Sequence, residues 1–270
     1  MDCMTILILD IGNTRMKAAV MRDGEVLEQG VLSGTENGEL RTENGEPLSE
    51  SVELVRRWCG DYGVERAIAS VVGKQPDFGR LLPAGLCENL HILSHRSKLP
   101  ITLDYDTPQT LGMDRVAAVI GARTFCPEGA LVVVDAGSCI TIDLLDGQNR
   151  YCGGAIMPGI RMRFRAMNEF TASLPLVDLS EGELGGTVPT PLTGKSTRSS
   201  MVSGVCNAAL YEIEGFMRDY EKKYPGVKLF LTGGDAVFFA ERLFFPNFAN
   251  RDLMYIGLGK ILELNLVNMN

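Results

Sequence analysis

The chain has 270 residues, 45% of them hydrophobic, enough for a sizeable core and suited to two domains of about 100 to 150 residues. A formal charge of −8 and a pI near 5.0 exclude a polyanion such as nucleic acid as the main partner, and no basic run reopens that possibility. No apolar stretch reaches the roughly 18 residues of a membrane span and no signal-like segment opens the chain, so a cytoplasmic protein with no membrane partner is expected.

Ile6 to Leu9 is an unbroken apolar run, the pattern of a strand buried on both faces. Asp10, Ile11, Gly12, Asn13 and Thr14 follow at once. A carboxylate where a buried strand ends can hold a magnesium ion, glycine lets the backbone approach a phosphate, and the amide and hydroxyl offer short hydrogen-bonding groups. The same residues also make an ordinary hairpin turn. Lys17 to Met21 and Glu25 to Gly34 read as two further strands about a turn at Arg22-Asp23-Gly24, and 34–49 as an exposed loop. A helix is predicted over Glu50 to Tyr62, a strand over Val64 to Val72, a short helix over Asp77 to Leu82 and a strand near Leu90 to Ser94. That order is an alternating α/β pattern with a mixed sheet.

Pro100 to Leu103 opens like a strand, then Pro108 turns the chain into Gly112-Met113-Asp114-Arg115 before an apolar helix, Val116 to Thr124. Asp114 thus falls at a helix start, where a carboxylate is either a cap or a reactive group. Arg115 reads equally as an oxyanion ligand and as a salt-bridge partner. A little under half the chain after Asp10 comes a second copy of the first pattern, Leu131 to Val134 followed by Asp135-Ala136-Gly137-Ser138. A repeat at that period suggests two like halves facing a nucleotide. Gly153-Gly154 opens a segment ending in Pro158-Gly159, read as a loop before a helix bearing Arg161, Arg163 and Arg165 that can meet a partner subunit. Gly182 to Thr197 reads as a long glycine-bearing segment, Ser200 to Tyr220 as a long helix, and Leu229 to Thr232 as a strand ending in Gly233-Gly234. The last helix, Tyr255 to Asn268, is read as opened by Gly257 and Gly259. Seven scattered cysteines without close pairing fit reduced thiols, and two histidines leave little for a zinc site.

The paired Asp-x-Gly loops resemble those of the acetate and sugar kinase, heat-shock protein and actin superfamily. Taken together, Asp10-x-Gly-Asn-Thr-x-x-Lys17, Tyr105 with Gly112-x-Asp114-Arg115, Asp135-x-Gly-Ser138, Gly153-Gly154-x-Ile156-x-Pro158-Gly159 and Gly194-x-x-Thr197 are similar in order and spacing to the type III pantothenate kinases. The resemblance implies an α/β fold of duplicated ribonuclease-H-like (actin-like ATPase) domains, with mixed sheets flanked by helices; we divide them as 1–115 and 116–270. It implies ATP-dependent phosphorylation of pantothenate by a homodimer, with magnesium and a monovalent cation, potassium or ammonium. It puts Asp10, Ile11, Gly12, Asn13, Thr14, Arg15, Met16, Lys17 and Ser138 at ATP, with Asp135 at the monovalent cation. Tyr105, Gly112, Met113, Asp114, Arg115 and Thr197 fall to pantothenate, with Asp114 the proton acceptor. Read by its strand position alone, Lys17 is an exposed residue. Ser138 stands where most members carry Thr, which keeps the hydroxyl, and Cys139 stands where a small residue is usual. The rival readings are an actin-like or regulatory nucleotide-binding protein without metabolite kinase activity, and another small-molecule kinase of the superfamily.

Overall fold

The computed structural model describes residues 4–12, 15–36, 39–41, 49–72, 75–179 and 190–266. Two compact units emerge, the first from Met1–Thr102, Asp106–Gly121 and Asp252–Asn270, the second from Leu103–Tyr105 and Ala122–Arg251. The chain is therefore interleaved, and a cut between 115 and 116 passes through one helix.

In the first unit, β1 (Thr5–Ile11), β2 (Arg15–Arg22), β3 (Glu25–Glu36), β4 (Glu39–Arg41), β5 (Arg66–Val71) and β6 (Leu90–Ile92) form one sheet in the order β4-β3-β2-β1-β5-β6. The first four strands are antiparallel, and β5 and β6 run parallel to β1. Asp23 and Gly24 take φ of 53° and 83°, the left-handed pair that closes a two-residue hairpin between β2 and β3. β3 continues to Glu36 and pairs back through β4, so the predicted exposed loop is partly sheet. One sheet face, with Leu7, Leu9, Ile11, Met16, Ala18 and Val20, packs on α1 (Ser49–Asp61), α2 (Phe78–Leu81) and α3 (Ala84–Cys87), with Val55 and Trp58 of α1 in the core. The sequence reading had no helix at 84–87, a single turn too short to carry a periodic signal.

The second unit repeats the plan. After the short β7 (Thr102–Leu103), α4 (Met113–Phe125) ends the first unit's middle stretch and enters the second. Then β8 (Leu131–Ala136), β9 (Cys139–Leu145), β10 (Arg150–Pro158), α5 (Ile160–Glu169), α6 (Thr197–Lys223), β11 (Lys228–Thr232), α7 (Ala236–Ala240) and β12 (Asn247–Ala249) follow. The sheet order is β12-β11-β8-β9-β10-β7, with β8 to β10 antiparallel and β11 and β12 parallel to β8. Val132, Val134, Ala136, Ile140, Ile142 and Leu144 form the face buried with Phe164, Cys206, Ile213 and Phe238 of the helices. Two mixed sheets flanked by helices, built to one plan, are the fold class expected.

The closing helix, α8 (Leu253–Leu266), returns to the first unit's sheet and lies on its other face. Gly257 and Gly259 do not open it; they lie within it. A Cβ on Gly257 would fall 1.8 Å from the Ala117 carbonyl oxygen, and one on Gly121 of α4 would fall 1.8 Å from that of Leu253. The pair lets two helix backbones touch. Gly153-Gly154 likewise belong to a strand, β10, where the register slips between Tyr151 and Gly154 as in a β-bulge.

Candidate active site

The first loop closes β1 onto β2. Ile6 to Leu9 are 5% exposed or less and the strand emerges at Asp10, which is half-buried. The Gly12 amide donates to the Arg15 carbonyl at 3.1 Å, tightening the hairpin. Asn13 and Thr14 lie outside the described residues. In register, Asp10 faces Lys17 on β2 and Ser70 on the parallel β5. Residues paired this way project from one face of a sheet, so carboxylate, ammonium and hydroxyl share it. Lys17 is half-buried rather than exposed. Ile11 and Met16 are fully buried in the core on the opposite face, which leaves only their backbone for a ligand. Sequence reasoning missed Ser70, whose hydroxyl is fully buried and has no hydrogen-bond partner. It missed Tyr255 of α8 too. Burial, then the charges of Asp10 and Asp252, push the Tyr255 phenol upward, so it stays protonated.

The second loop repeats the geometry with one residue fewer between its strands. Asp135 is half-buried at the end of β8 and faces Thr141 on β9 and Thr232 on β11. The Gly137 amide donates to the Cys139 carbonyl at 2.9 Å, and Ser138 is exposed at the tip. Two glycines from elsewhere close on this loop. A Cβ on Gly159 would lie 2.2 Å from the Gly137 oxygen, and one on Gly233 would lie 2.4 Å from the Ala136 oxygen. The Gly159 amide donates to the Ser138 carbonyl at 3.1 Å and the Asp235 amide to that of Ala136 at 2.9 Å. Gly233, at φ 92°, is thereby fixed as glycine twice over, by conformation and by space.

The arginines expected to reach a partner subunit are mostly engaged within the chain. Arg161 meets the buried Asp235 carboxylate at 2.8 Å, joining the start of α5 to the Gly233 turn, and Arg163 pairs with Glu212 through two bonds of 2.9 and 2.5 Å. Arg165 alone of the three is exposed.

On the acceptor side, Asp114 is the second residue of α4, whose helix begins at Met113, three residues before the predicted start. A Cβ on Gly112 would fall 2.6 Å from Asp114 Oδ1, so the carboxylate occupies space that only glycine leaves. Met113 is buried, and Arg115, 8% exposed, is no solvated surface cation. Tyr105 belongs to the second unit, where its ring lies against Gly153 and 6.1 Å from the Tyr151 ring. Thr197 is exposed and is the first residue of α6, behind a capping box of Ser196 and Ser199. Part of the glycine-bearing segment before it, 180–189, lies outside the described residues. Its remainder is tied down, with Ser203 Oγ donating to the Leu192 carbonyl at 2.8 Å. The six described cysteines are free thiols, Cys139 among them exposed.

The type III pantothenate kinase family model matches residues 6–219 of this chain. The type III pantothenate kinases of Phocaeicola vulgatus and Cytophaga hutchinsonii are 38% and 37% identical over 259 and 261 residues. Each alignment covers 96% of this chain, with 98% and 99% of the relative. A solved structure from Campylobacter jejuni, described as a Baf family transcriptional activator, has a TM-score of 0.57 at 22% identity, over 97% of this chain and 99% of that one. Another from Sinorhizobium meliloti, described as a 2-dehydro-3-deoxygalactonokinase, has a TM-score of 0.53 at 13% identity over 96% of each chain. Those two speak to the fold alone. The family match runs through both Asp-x-Gly loops, Gly112 to Arg115 and the first turn of α6, and with near-complete relatives at this identity the chain belongs to the type III pantothenate kinase family.

Proposed function

We propose that the chain transfers the γ-phosphoryl group of ATP to the alcohol of pantothenate, with Asp10 serving the nucleotide's metal, Asp135 a monovalent cation and Asp114 the alcohol's proton. Its family makes it a pantothenate kinase, a phosphotransferase whose product enters coenzyme A biosynthesis. The observation that carries the residue-level reading is the repeat. Two aspartates end equivalent strands of two like sheets, each flanked in register by polar residues on both neighbouring strands.

The surroundings of each aspartate fit a different ion. Beside Asp10, the buried Ser70 hydroxyl lacks a partner, a cost of about 1 to 3 kcal/mol that a water or oxyanion arriving there would relieve. No cluster of three acidic, histidine or cysteine side chains occurs among the described residues. Asp10 is the one carboxylate we assign to magnesium, an ion usually held by one or two carboxylates, phosphate oxygens and water. When bound, it offsets charge on the triphosphate. Asp135, flanked by the Thr141 and Thr232 hydroxyls, offers the hard oxygens that suit potassium or ammonium. At the second loop the exposed Ser138 is the residue we assign to ATP, while Ile11 and Met16 contribute backbone only.

For the acceptor, Asp114 takes the hydroxyl proton as the new P–O bond forms and the bond to the departing ADP breaks, and Arg115, Thr197 and Tyr105 are the residues we assign to pantothenate. Met113 is as buried as Arg115, at 8% exposed. A homodimer is supported by exposed apolar side chains on β10, α5 and α6 of the second unit: Ile156, Met162 and Tyr211, with Phe170 at the end of α5. We read the chain as a cytoplasmic enzyme without nucleic-acid or membrane partners, for which the charge of −8 is the support against nucleic acid; no described helix is long and apolar enough to cross a bilayer.

A coupled ADP-release assay over a panel of vitamins and sugars, with and without potassium, tests this reading. Release that depends on pantothenate and rises with potassium is expected. Release with a sugar and none with pantothenate would overturn the acceptor, and indifference to every monovalent cation would overturn the role of Asp135.

A further inference from the structure

Wholly within the second unit, a buried carboxylate joins the cation side of the site to the acceptor side. Asp143 of β9 is 1% exposed. It accepts from the Tyr151 hydroxyl at 2.6 Å and from Thr141 Oγ1 at 2.9 Å. Thr141 lies directly opposite Asp135, where Cβ atoms are about 4.5 to 5.5 Å apart. Tyr151 is fully buried, and its ring stands 6.1 Å from that of Tyr105 at an interplanar angle of 52°. The bulge that places Tyr151 here contains Gly153, at φ 80°, and a Cβ on Gly153 would lie 3.4 Å from two carbons of the Tyr105 ring.

A carboxylate in such a place is costly unless its oxygens are occupied, and a valine would extend the strand without that cost. What the carboxylate supplies is orientation. Each hydroxyl spends its single proton on Asp143, so the remaining lone pairs of Thr141 Oγ1 face away from Asp143 and are available to a cation beside Asp135. The Tyr151 phenol, held by the other carboxylate oxygen, fixes the ring against which Tyr105 rests. We infer that Asp143 is a positioning residue that fixes the Thr141 hydroxyl and, through Tyr151, the Tyr105 ring in one frame, so that cation and pantothenate binding are energetically coupled. The inference rests on the assignment of Tyr105 to pantothenate and Asp135 to the monovalent cation. Coupling of this kind is reciprocal in binding: potassium tightens pantothenate binding by the factor by which pantothenate tightens potassium binding.

The test is steady-state kinetics with pantothenate and potassium both varied, in the intact enzyme and in Tyr151→Phe, Thr141→Val and Asp143→Asn, each with its Tm. Loss of such an outer-shell contact changes the affected constant by about tenfold or more. Tyr151→Phe is expected to raise the pantothenate KM, Thr141→Val the potassium half-activation concentration, and Asp143→Asn both, with the ATP KM unchanged throughout. A merely structural role would lower Tm and leave the KM values together, which would overturn the inference. Should Asp143→Asn not fold, the two milder variants decide: both constants within about twofold of the parent in both variants would overturn it equally. Tyr105→Ala and Asp135→Asn separate the two levels. If neither moves its own constant, the site assignment fails; if both do while the Asp143, Tyr151 and Thr141 variants are silent, only the coupling fails.

Discussion

A side chain at Gly233 would place its Cβ 2.4 Å from Oδ1 of Asp135, so the turn after β11 is moulded directly onto the carboxylate that ends β8. The contact ties the Gly233-Gly234 turn, which the sequence marks only as the end of a strand, to the second Asp-x-Gly loop. Gly233→Ala is therefore expected to act on Asp135 as well as on stability. A positive φ and an enforced displacement each cost on the order of 1 to 3 kcal/mol, and the displaced carboxylate should hold the monovalent cation proposed for it less tightly. Potassium titration of a folded Gly233→Ala enzyme should show a raised half-activation concentration. An unchanged response with a lowered Tm would reduce the glycine to a turn residue.

The thiols make a prediction about alkaline stability. Burial pushes Cys206 and Cys59 up to about 11, from 9.0 for an unperturbed thiol. In the fold they stay protonated at pH values where the unfolded chain has lost those protons. The unfolded state then binds fewer protons, so stability is complete below about pH 9 and declines as the pH rises towards about 11. Cys206, with no exposed surface in the second core, should account for part of the slope. Urea unfolding from pH 8 to 11 should show the decline, and Cys206→Ala should make it shallower while lowering stability at pH 8 through the lost packing. An identical slope in the variant would refute the assignment.

How much was legible in the sequence follows from where each signal resides. Asp10 and Asp135 announce themselves because an apolar strand, an acid and a glycine are contiguous in the chain. Ser70 and Thr232, which flank them, do not, since parallel pairing with a distant strand has no local pattern. Tyr151 and Asp143 were hidden by the bulge: Gly153-Gly154 suggests a loop, whereas one glycine serves a left-handed turn and the other lets β10 lie against the Ile142 carbonyl. Gly257 and Gly259 were misread for a related reason. A glycine in a helical pattern signals an end until what it packs on is known, and those partners, α4 for Gly257 and Met21 and Ile6 of the sheet for Gly259, are far away in the chain.

That helix crossing gives a stability prediction with a built-in contrast. Gly257→Ala would press a methyl into the Ala117 carbonyl at 1.8 Å, forcing α8 off α4 within the first unit. The cost should be about 3 kcal/mol or more, a fall in Tm on the order of 6 to 12 °C. Gly215 of α6 meets nothing within 4 Å at the same position. There the only change is helix propensity, and Gly215→Ala should stabilise by up to about 1 kcal/mol. Opposite signs by calorimetry are the expected outcome; a neutral Gly257→Ala would mean that the helices move apart freely.

The last prediction concerns Asp114 and the glycine under it. Asp114 occupies the first turn of α4, where a carboxylate favours the helix dipole whether or not it is catalytic. If it accepts the alcohol's proton, Asp114→Asn keeps the volume and much of the helix-start hydrogen bonding but removes the base, and turnover should fall by about 10² to 10⁴. A purely structural carboxylate predicts a loss of about 1 kcal/mol in stability with turnover nearly intact. Gly112 supplies the independent arm. Its absent Cβ leaves 2.6 Å to Asp114 Oδ1, so Gly112→Ala must swing the carboxylate aside while its charge is retained. Catalysis by a positioned carboxylate predicts a large loss of turnover in both variants, because a displacement of about 1 Å can cost about 10²-fold. A charge that merely balances the helix dipole predicts that Gly112→Ala turns over almost normally. Single-turnover rates with saturating ATP and pantothenate, measured beside Tm, discriminate the two, and near-normal rates in folded Asp114→Asn would leave this aspartate a structural residue.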